Sequence, residues 1–211
     1  ISACLVGSEM CIRDRVSAAH YNDVKAIISF GGGDYRVTSE LMGIRKNRQN
    51  LIKNIKLNLI GKIQLKNIMM AIIAAQKSNL SLNRILGVIP KIRSVEGRLE
   101  KIGNIKNKSK VILDYAHTPD ALKISLLSLR EQFPNKKIVL LFGCGGNRDQ
   151  NKRSKMGKIA SLYADQIYLT DDNPRLENPN KIRKDIKRGI NSKKISDISD
   201  RAQAISEAVK N

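Results

Sequence analysis

The chain has 211 residues, 41% of them apolar, which is enough for a packed core and excludes a disordered chain. No run approaches the roughly eighteen consecutive apolar residues of a membrane span, and no secretory signal opens the sequence, so a cytoplasmic protein without a membrane partner is expected. The formal charge of +20 points to anionic partners, yet basic residues are spread along the chain and aromatics make up only 4%; a nucleic-acid function is not expected, because single-strand binders pair a basic groove with stacking rings.

Three cysteines, Cys4, Cys11 and Cys144, have no metal-ligand spacing, and their odd number argues against a disulfide framework. The opening "ISACLVGSEMCIRDR", Ile1 to Arg15, carries no periodicity and reads as a non-native leader. Beyond it, "VKAIISF" is a strand candidate, "GGGDYRVTSEL" a loop leading into another, and "NIKLNLIG" alternates as a half-buried strand does. "LKNIMMAIIAAQKSNL" sets Ile68, Ala71, Ile72 and Ala75 at helical spacing. "SLNRILGVIPKI" offers a short helix capped by Ser81 and closed by Gly87 and Pro90.

From Arg98 onward strand and helix alternate four times. The strands are "KVILDYA", "KIVLLFGC", "QIYLTDD" and, more weakly, "KISDIS". The helices carry stripes at Leu122, Leu126, Leu129 and Phe133, then Met156, Ile159, Ala160 and Tyr163, then Ile182, Ile186 and Ile190. Nearly continuous apolar strands signal burial on both faces of a parallel sheet, so a doubly wound, Rossmann-like α/β unit is expected. Ligands of such sheets sit outside the carboxyl ends of the strands. Three strands end in polar clusters, "DYAHTPD", "GCGGNRDQNKR" and "DDNPR", and these tips should share one rim.

Each tip has an ordinary explanation beside a functional one. "FGCGGNRDQNKR" is no dinucleotide fingerprint, since Arg148 stands where G-x-G-x-x-G needs its last glycine, and no G-x-x-x-x-G-K-[ST] occurs in the chain. What remains is a loop bearing Asn147, Arg148, Asp149, Lys152 and Arg153 before a helix, either an anion site or a solvated charged turn. In "DYAHTPDAL", Pro119 suits a first helical turn, Asp120 suits the helix dipole, and His117 reads as a loop hydrogen-bonder. Asn173 and Pro174 suit a turn. Arg175 is harder to dismiss, because a guanidinium presents a rigid fork for a carboxylate or phosphate.

Four segments, "GRLEKI" (Gly97 to Ile102), "VILDYAHTPDAL" (Val111 to Leu122), "FGCGGNRDQNKRSKMGKIA" (Phe142 to Ala160) and "TDDNPRLENP" (Thr170 to Pro179), together resemble the C-terminal domain of the Mur ligases. Within that family they resemble the type that adds meso-diaminopimelate to UDP-N-acetylmuramoyl-L-alanyl-D-glutamate in peptidoglycan synthesis. "LNLIGKIQLKNIMMAIIAA" is similar to the end of the family's central ATPase domain. The family's Phe-Asn is replaced there by Ile63-Gln64, while the later Asn67 is kept. The resemblance implies residues 16–96 as the last part of the central α/β ATP-binding domain and residues 97–211 as a C-terminal domain short of its end.

It also implies an ATP-dependent amide ligase working through an acyl phosphate, with magnesium bound mainly by the central domain. Asn67 (adenine), Asp114 (ribose) and Arg98 (phosphates) would contact ATP. Arg148, Asp172, Asn173, Pro174 and Arg175 would form the diaminopimelate site. The partners implied are the UDP-N-acetylmuramoyl dipeptide and meso-diaminopimelate, acting on a monomer, with the chain by itself inactive. A lysine-adding or other Mur-type ligase is the alternative inside the family, disfavoured by the intact "DNPR". A stand-alone nucleotide-binding module is the alternative outside it.

Overall fold

The computed structural model describes residues 24–31, 34–41, 54–105, 109–191 and 195–210. The expected leader, with Cys4 and Cys11, lies outside the described residues. The backbone divides into two units, Ile1–Val95 and Glu96–Asn211.

In the first unit, strands β1 (Val24–Gly31), β2 (Asp34–Leu41) and β3 (Asn54–Leu57) form an antiparallel sheet in chain order. Helix α1 (Lys62–Lys77) follows Gly61, whose φ of 92° is one that side chains rarely adopt. Its buried face is Leu65, Ile68 and Ile72, packed with Leu57, Leu59, Leu86 and Ile89. The expected stripe is displaced by one turn: Leu65 belongs to it, while Ala71 is exposed. Helix α2 (Leu82–Val88) starts after Ser81, but the Ser81 hydroxyl makes no capping bond. The helix also runs through Gly87 and yields to a 3-10 turn, Ile89–Lys91, only at Pro90. A glycine merely weakens a helix, whereas proline removes a donor and clashes with the preceding turn.

The second unit contains β4 (Glu100–Asn104), β5 (Lys110–Leu113), α3 (Pro119–Gln132), β6 (Val139–Phe142), α4 (Asn151–Tyr163), β7 (Gln166–Leu169), α5 (Pro179–Lys187), β8 (Ile195–Asp197) and α6 (Arg201–Lys210). Strands β6, β7 and β8 lie side by side and parallel, with Val139 opposite Gln166 and Ile167 opposite Ile195. Leu122 and Leu126 of α3, Met156 and Ala160 of α4, and Ile182 and Ile186 of α5 pack on Phe142, Ile167 and Leu169. The expected α/β unit with a parallel sheet is present, and the helix stripes form its core except for Phe133, which follows the end of α3 and is not part of it.

One strand behaves differently. "KVILDYA" was expected in the parallel sheet, but β5 pairs antiparallel with β4, with a bulge between Lys101 and Gly103. Leu113 is 48% exposed, so the apolar run does not mark two-sided burial here. Helices α4 and α5 approach backbone to backbone: a β-carbon on Gly157 would lie 2.2 Å from the Ile186 carbonyl oxygen. That contact lies at the last turn of α5.

Candidate functional site

Asp114 follows β5, and both of its carboxylate oxygens are used within the fold. One accepts from the Leu99 N–H at 3.0 Å and the other from the Ser125 hydroxyl. Leu99 has a φ of 46°, so the carboxylate holds a strained turn beside Arg98. The Arg98 guanidinium carbon lies 5.3 Å from the centre of the Tyr115 ring, a cation–π distance, and the Tyr115 and His117 rings are 5.1 Å apart. His117 Nδ1 donates to the Tyr115 carbonyl at 3.1 Å, the loop role expected of it. Thr118 caps α3 by accepting from the Ala121 N–H, with Pro119 and Asp120 in the first turn.

The glycines after β6 serve backbone contact rather than phosphate cradling. A β-carbon on Gly143 would lie 2.3 Å from the Thr170 carbonyl oxygen, and one on Gly146 would lie 1.9 Å from that of Pro174. The loop therefore lies flat on the segment after β7. Gly146 N–H donates to the Asn173 carbonyl at 2.8 Å, and Leu176 N–H donates to Asn147 Oδ1 at 3.0 Å. Arg175 Nη1 donates to the Gly146 carbonyl at 2.8 Å, and its own N–H donates to Asn173 Oδ1 at 3.2 Å. Asn147 and Arg175 both have a φ of 50°. Arg148 is exposed on the same loop.

Asp172 and Asn173 line an open depression with Asp171, Ser199, Asp200 and Arg201. Arg201 approaches Asp172 at 3.8 Å and donates to the Asp171 carbonyl at 3.2 Å. Arg183 engages Asp171 and Asp197, which neutralises the first aspartate of the loop. The third tip joins the other two through Lys152, whose ammonium donates to the His117 carbonyl at 2.8 Å. The three tips thus meet although β5 belongs to a different ladder from β6 and β7.

One reading of the glycine loop changes. Arg153, grouped with the loop cations, is fully buried on α4. Its Nη2 donates to both Glu177 oxygens at 2.9 Å and its Nη1 to Asp185 at 3.1 Å. No anion can reach it. Cys144 is buried, and burial above all pushes its thiol up to about 11, so it is no nucleophile at neutral pH. Glu177 was missed at the sequence level. The Asn147 N–H first, and then the Arg153 guanidinium, hold its carboxyl below the usual carboxylate range. A lone glutamate after a turn carries no signal of such a partner.

Asn67 lies on the exposed side of α1 in the first unit, whereas the other seven candidate residues lie in the second. Among the described residues no group of three or more His, Cys, Asp or Glu is arranged to hold a metal, and no helix is long and apolar enough to cross a membrane.

The profile of the Mur ligase glutamate ligase domain matches residues 97–211. The chain is similar to the UDP-N-acetylmuramoyl-L-alanyl-D-glutamate:2,6-diaminopimelate ligase of Rickettsia prowazekii (strain Madrid E), 34% identical over 198 residues, covering 91% of this chain and 40% of that protein. The ligase of the same name from Buchnera aphidicola subsp. Baizongia pistaciae (strain Bp) is 46% identical over 154 residues, covering 72% of this chain and 30% of the relative. A solved structure with that name superposes with a TM-score of 0.61 at 30% identity over 89% of this chain and 37% of its own. The folylpolyglutamate synthase of Mycobacterium tuberculosis, complexed with ADP and AMPPCP, shares the fold at 15% identity, with a TM-score of 0.68 over 90% of this chain and 41% of its own. The chain therefore spans about 40% of the length of curated relatives such as the Rickettsia protein. With the domain profile covering more than half of its residues, this chain belongs to the Mur ligase family.

Proposed function

We propose that this chain is part of a ligase that adds meso-diaminopimelate to UDP-N-acetylmuramoyl-L-alanyl-D-glutamate in the cytoplasm, residues 16–96 belonging to its central ATP-binding domain and residues 97–211 to its C-terminal domain. The observation that supports it most is the interlocked pair of loops after β6 and β7, in which Arg175 is held by one arm to Gly146 and Asn173 is bonded to the same loop that carries Arg148. A guanidinium has five N–H donors. The bond to Gly146 therefore orients the fork and leaves donors for a ligand carboxylate. The names of the Rickettsia and Buchnera relatives agree with this reading.

In the reaction, the γ-phosphoryl group of ATP passes to the free carboxylate of the nucleotide dipeptide, and ADP leaves. The neutral diaminopimelate amine attacks the acyl carbon, the C–O bond to phosphate breaks with its pair going to phosphate, and the nitrogen gives up a proton to solvent as the amide forms. On this reading Arg98 would bind the phosphates and Asn67 the adenine. Asp114 receives a ribose hydroxyl; each of its oxygens accepts one internal bond and keeps a lone pair. Magnesium would neutralise phosphate charge in such a reaction. It is assigned to no described residue, since none of them form a suitable cluster. Arg148, Asp172, Asn173, Pro174 and Arg175 form the amino-acid site. Diaminopimelate differs from lysine by a second carboxylate on the far carbon, and that is the group the Arg175 fork grips.

The test is the ratio of kcat/KM for diaminopimelate to that for lysine in a full-length ligase containing this segment. Arg175→Ala is expected to lower the ratio by roughly 30-fold or more, since truncating one partner of a hydrogen-bonded charge pair costs about 2 kcal/mol or more. Arg175→Lys recovers only part, because an ammonium lacks the bidentate geometry. An unchanged ratio in Arg175→Ala overturns the assignment.

A further inference from the structure

We infer that Arg153 and Glu177 act as a positioning clamp for amino-acid selection, fixing the spacing of Arg148 and Arg175 without touching the substrate; this rests on the diaminopimelate reading above. Neither group belongs to the binding set. Arg153 is fully buried, and Glu177 is partly buried, with 14% of its side chain exposed.

The connection runs bond by bond. Arg153 projects from α4 and grips both oxygens of Glu177 at 2.9 Å. The same carboxylate accepts the N–H of Asn147, the residue before Arg148. Asn147 in turn accepts the N–H of Leu176, the residue after Arg175, at 3.0 Å. Glu177 closes its own turn by donating its N–H to the Pro174 carbonyl at 2.9 Å. Arg148 and Arg175 are therefore each one residue from a link in a single chain of bonds that ends on a buried guanidinium.

Stability alone is a poor reason for this arrangement. Buried ion pairs are often matched or bettered by apolar side chains of similar volume. Arg153 Nε is moreover buried with no hydrogen-bond partner among the described residues, a cost that a purely structural tie would not need. Asn147 and Arg175 both sit at a φ of 50°, and such strain persists where the surroundings impose it and gathers at binding sites. Asp185 completes the anchor by joining the Arg153 Nη1 to α5, so the clamp bears on two helices rather than on loops. A fork that must meet one carboxylate at the end of a long side chain needs such a fixed base.

The experiment uses a full-length ligase containing this segment, with wild type, Glu177→Gln, Arg153→Lys, Arg153→Met and Arg175→Ala. Glu177→Gln keeps an acceptor for Asn147 but removes the charge that grips Arg153. The expected result for Glu177→Gln and Arg153→Met is a KM for diaminopimelate raised about tenfold to a hundredfold, the effect of misplacing a positioned group by about an ångström. The KM for ATP and kcat at saturating diaminopimelate stay near wild type, and the diaminopimelate-to-lysine ratio falls. Arg153→Lys recovers only part. A merely structural pair would lower the folded fraction and the apparent kcat together, with KM unmoved, and that outcome overturns the inference. So does failure of both Glu177→Gln and Arg153→Met to fold. If Arg175→Ala loses selectivity while the clamp variants keep wild-type KM, the clamp is wrong and the site reading stands. If wild type does not use diaminopimelate, the site reading fails and takes the clamp with it.

Discussion

Gly146 shows what a residue type in the sequence can and cannot say. A glycine-rich run after a strand signals that something approaches the backbone closely, and the obvious visitor is a phosphate. Here the visitor is the chain itself: the Pro174 carbonyl oxygen lies 1.9 Å from where a Gly146 β-carbon would be, in a loop that local pattern does not connect to it. Gly103, by contrast, has nothing within 4 Å of its β-carbon position. Gly146→Ala is therefore expected to destabilise the second unit by about 1–3 kcal/mol through overpacking. Gly103→Ala should stay within about 0.5 kcal/mol of wild type. Denaturant unfolding of the two variants side by side checks this, and equal midpoints would mean that the loops after β6 and β7 do not meet. Arg153 teaches the same lesson about charge: a cation next to four other polar residues reads as solvated, and only the fold reveals the two carboxylates that bury it.

Helices α4 and α5 and the segment between β7 and α5 act together through those carboxylates, which makes their stability depend on pH. Glu177 is held below the ordinary carboxylate value by the Asn147 N–H and Arg153. A depressed folded value means stabilisation that is fully present above the unfolded value of about 4.3 and is lost as pH falls through it toward the folded one. The difference in melting temperature between wild type and Glu177→Gln should thus be largest near neutral pH and shrink on acidification below about 4.3. A constant difference across that window would show that Glu177 is not ionised in the pair. At this scale the helices were legible, because stripes such as Leu122–Leu126 and Ile182–Ile186 are local and periodic. Strand β4 was not, since "EKIGN" offers two charges and a glycine in five residues. The pairing of β5 was misjudged for a related reason: an apolar tetrapeptide announces a strand but not the neighbour that will complete its hydrogen bonds.

On the scale of the whole molecule, the basic residues behind the charge of +20 are spread along the chain and aromatics make up only 4%, which argues against a dedicated nucleic-acid face. The order of motifs along the chain made the family legible. The division into two units places Asn67 in the first and Arg98 and Asp114 in the second. Phosphoryl transfer depends on a cradle of backbone N–H groups with a lysine aimed at the phosphates, and G-x-x-x-x-G-K-[ST] occurs nowhere in these 211 residues. The relatives that carry the same domain are more than twice as long, this chain spanning 40% of the Rickettsia protein. The 211 residues by themselves, supplied with ATP, magnesium, the nucleotide dipeptide and diaminopimelate, are therefore expected to release no phosphate and form no tripeptide product. A full-length ligase containing them should do both. Each can be followed by phosphate release coupled to chromatographic detection of the product. Product formation by the 211 residues alone would mean that the phosphates are held by groups in this chain other than a glycine-rich loop with its lysine, and would return the cations of the strand-tip rim to consideration as that cradle.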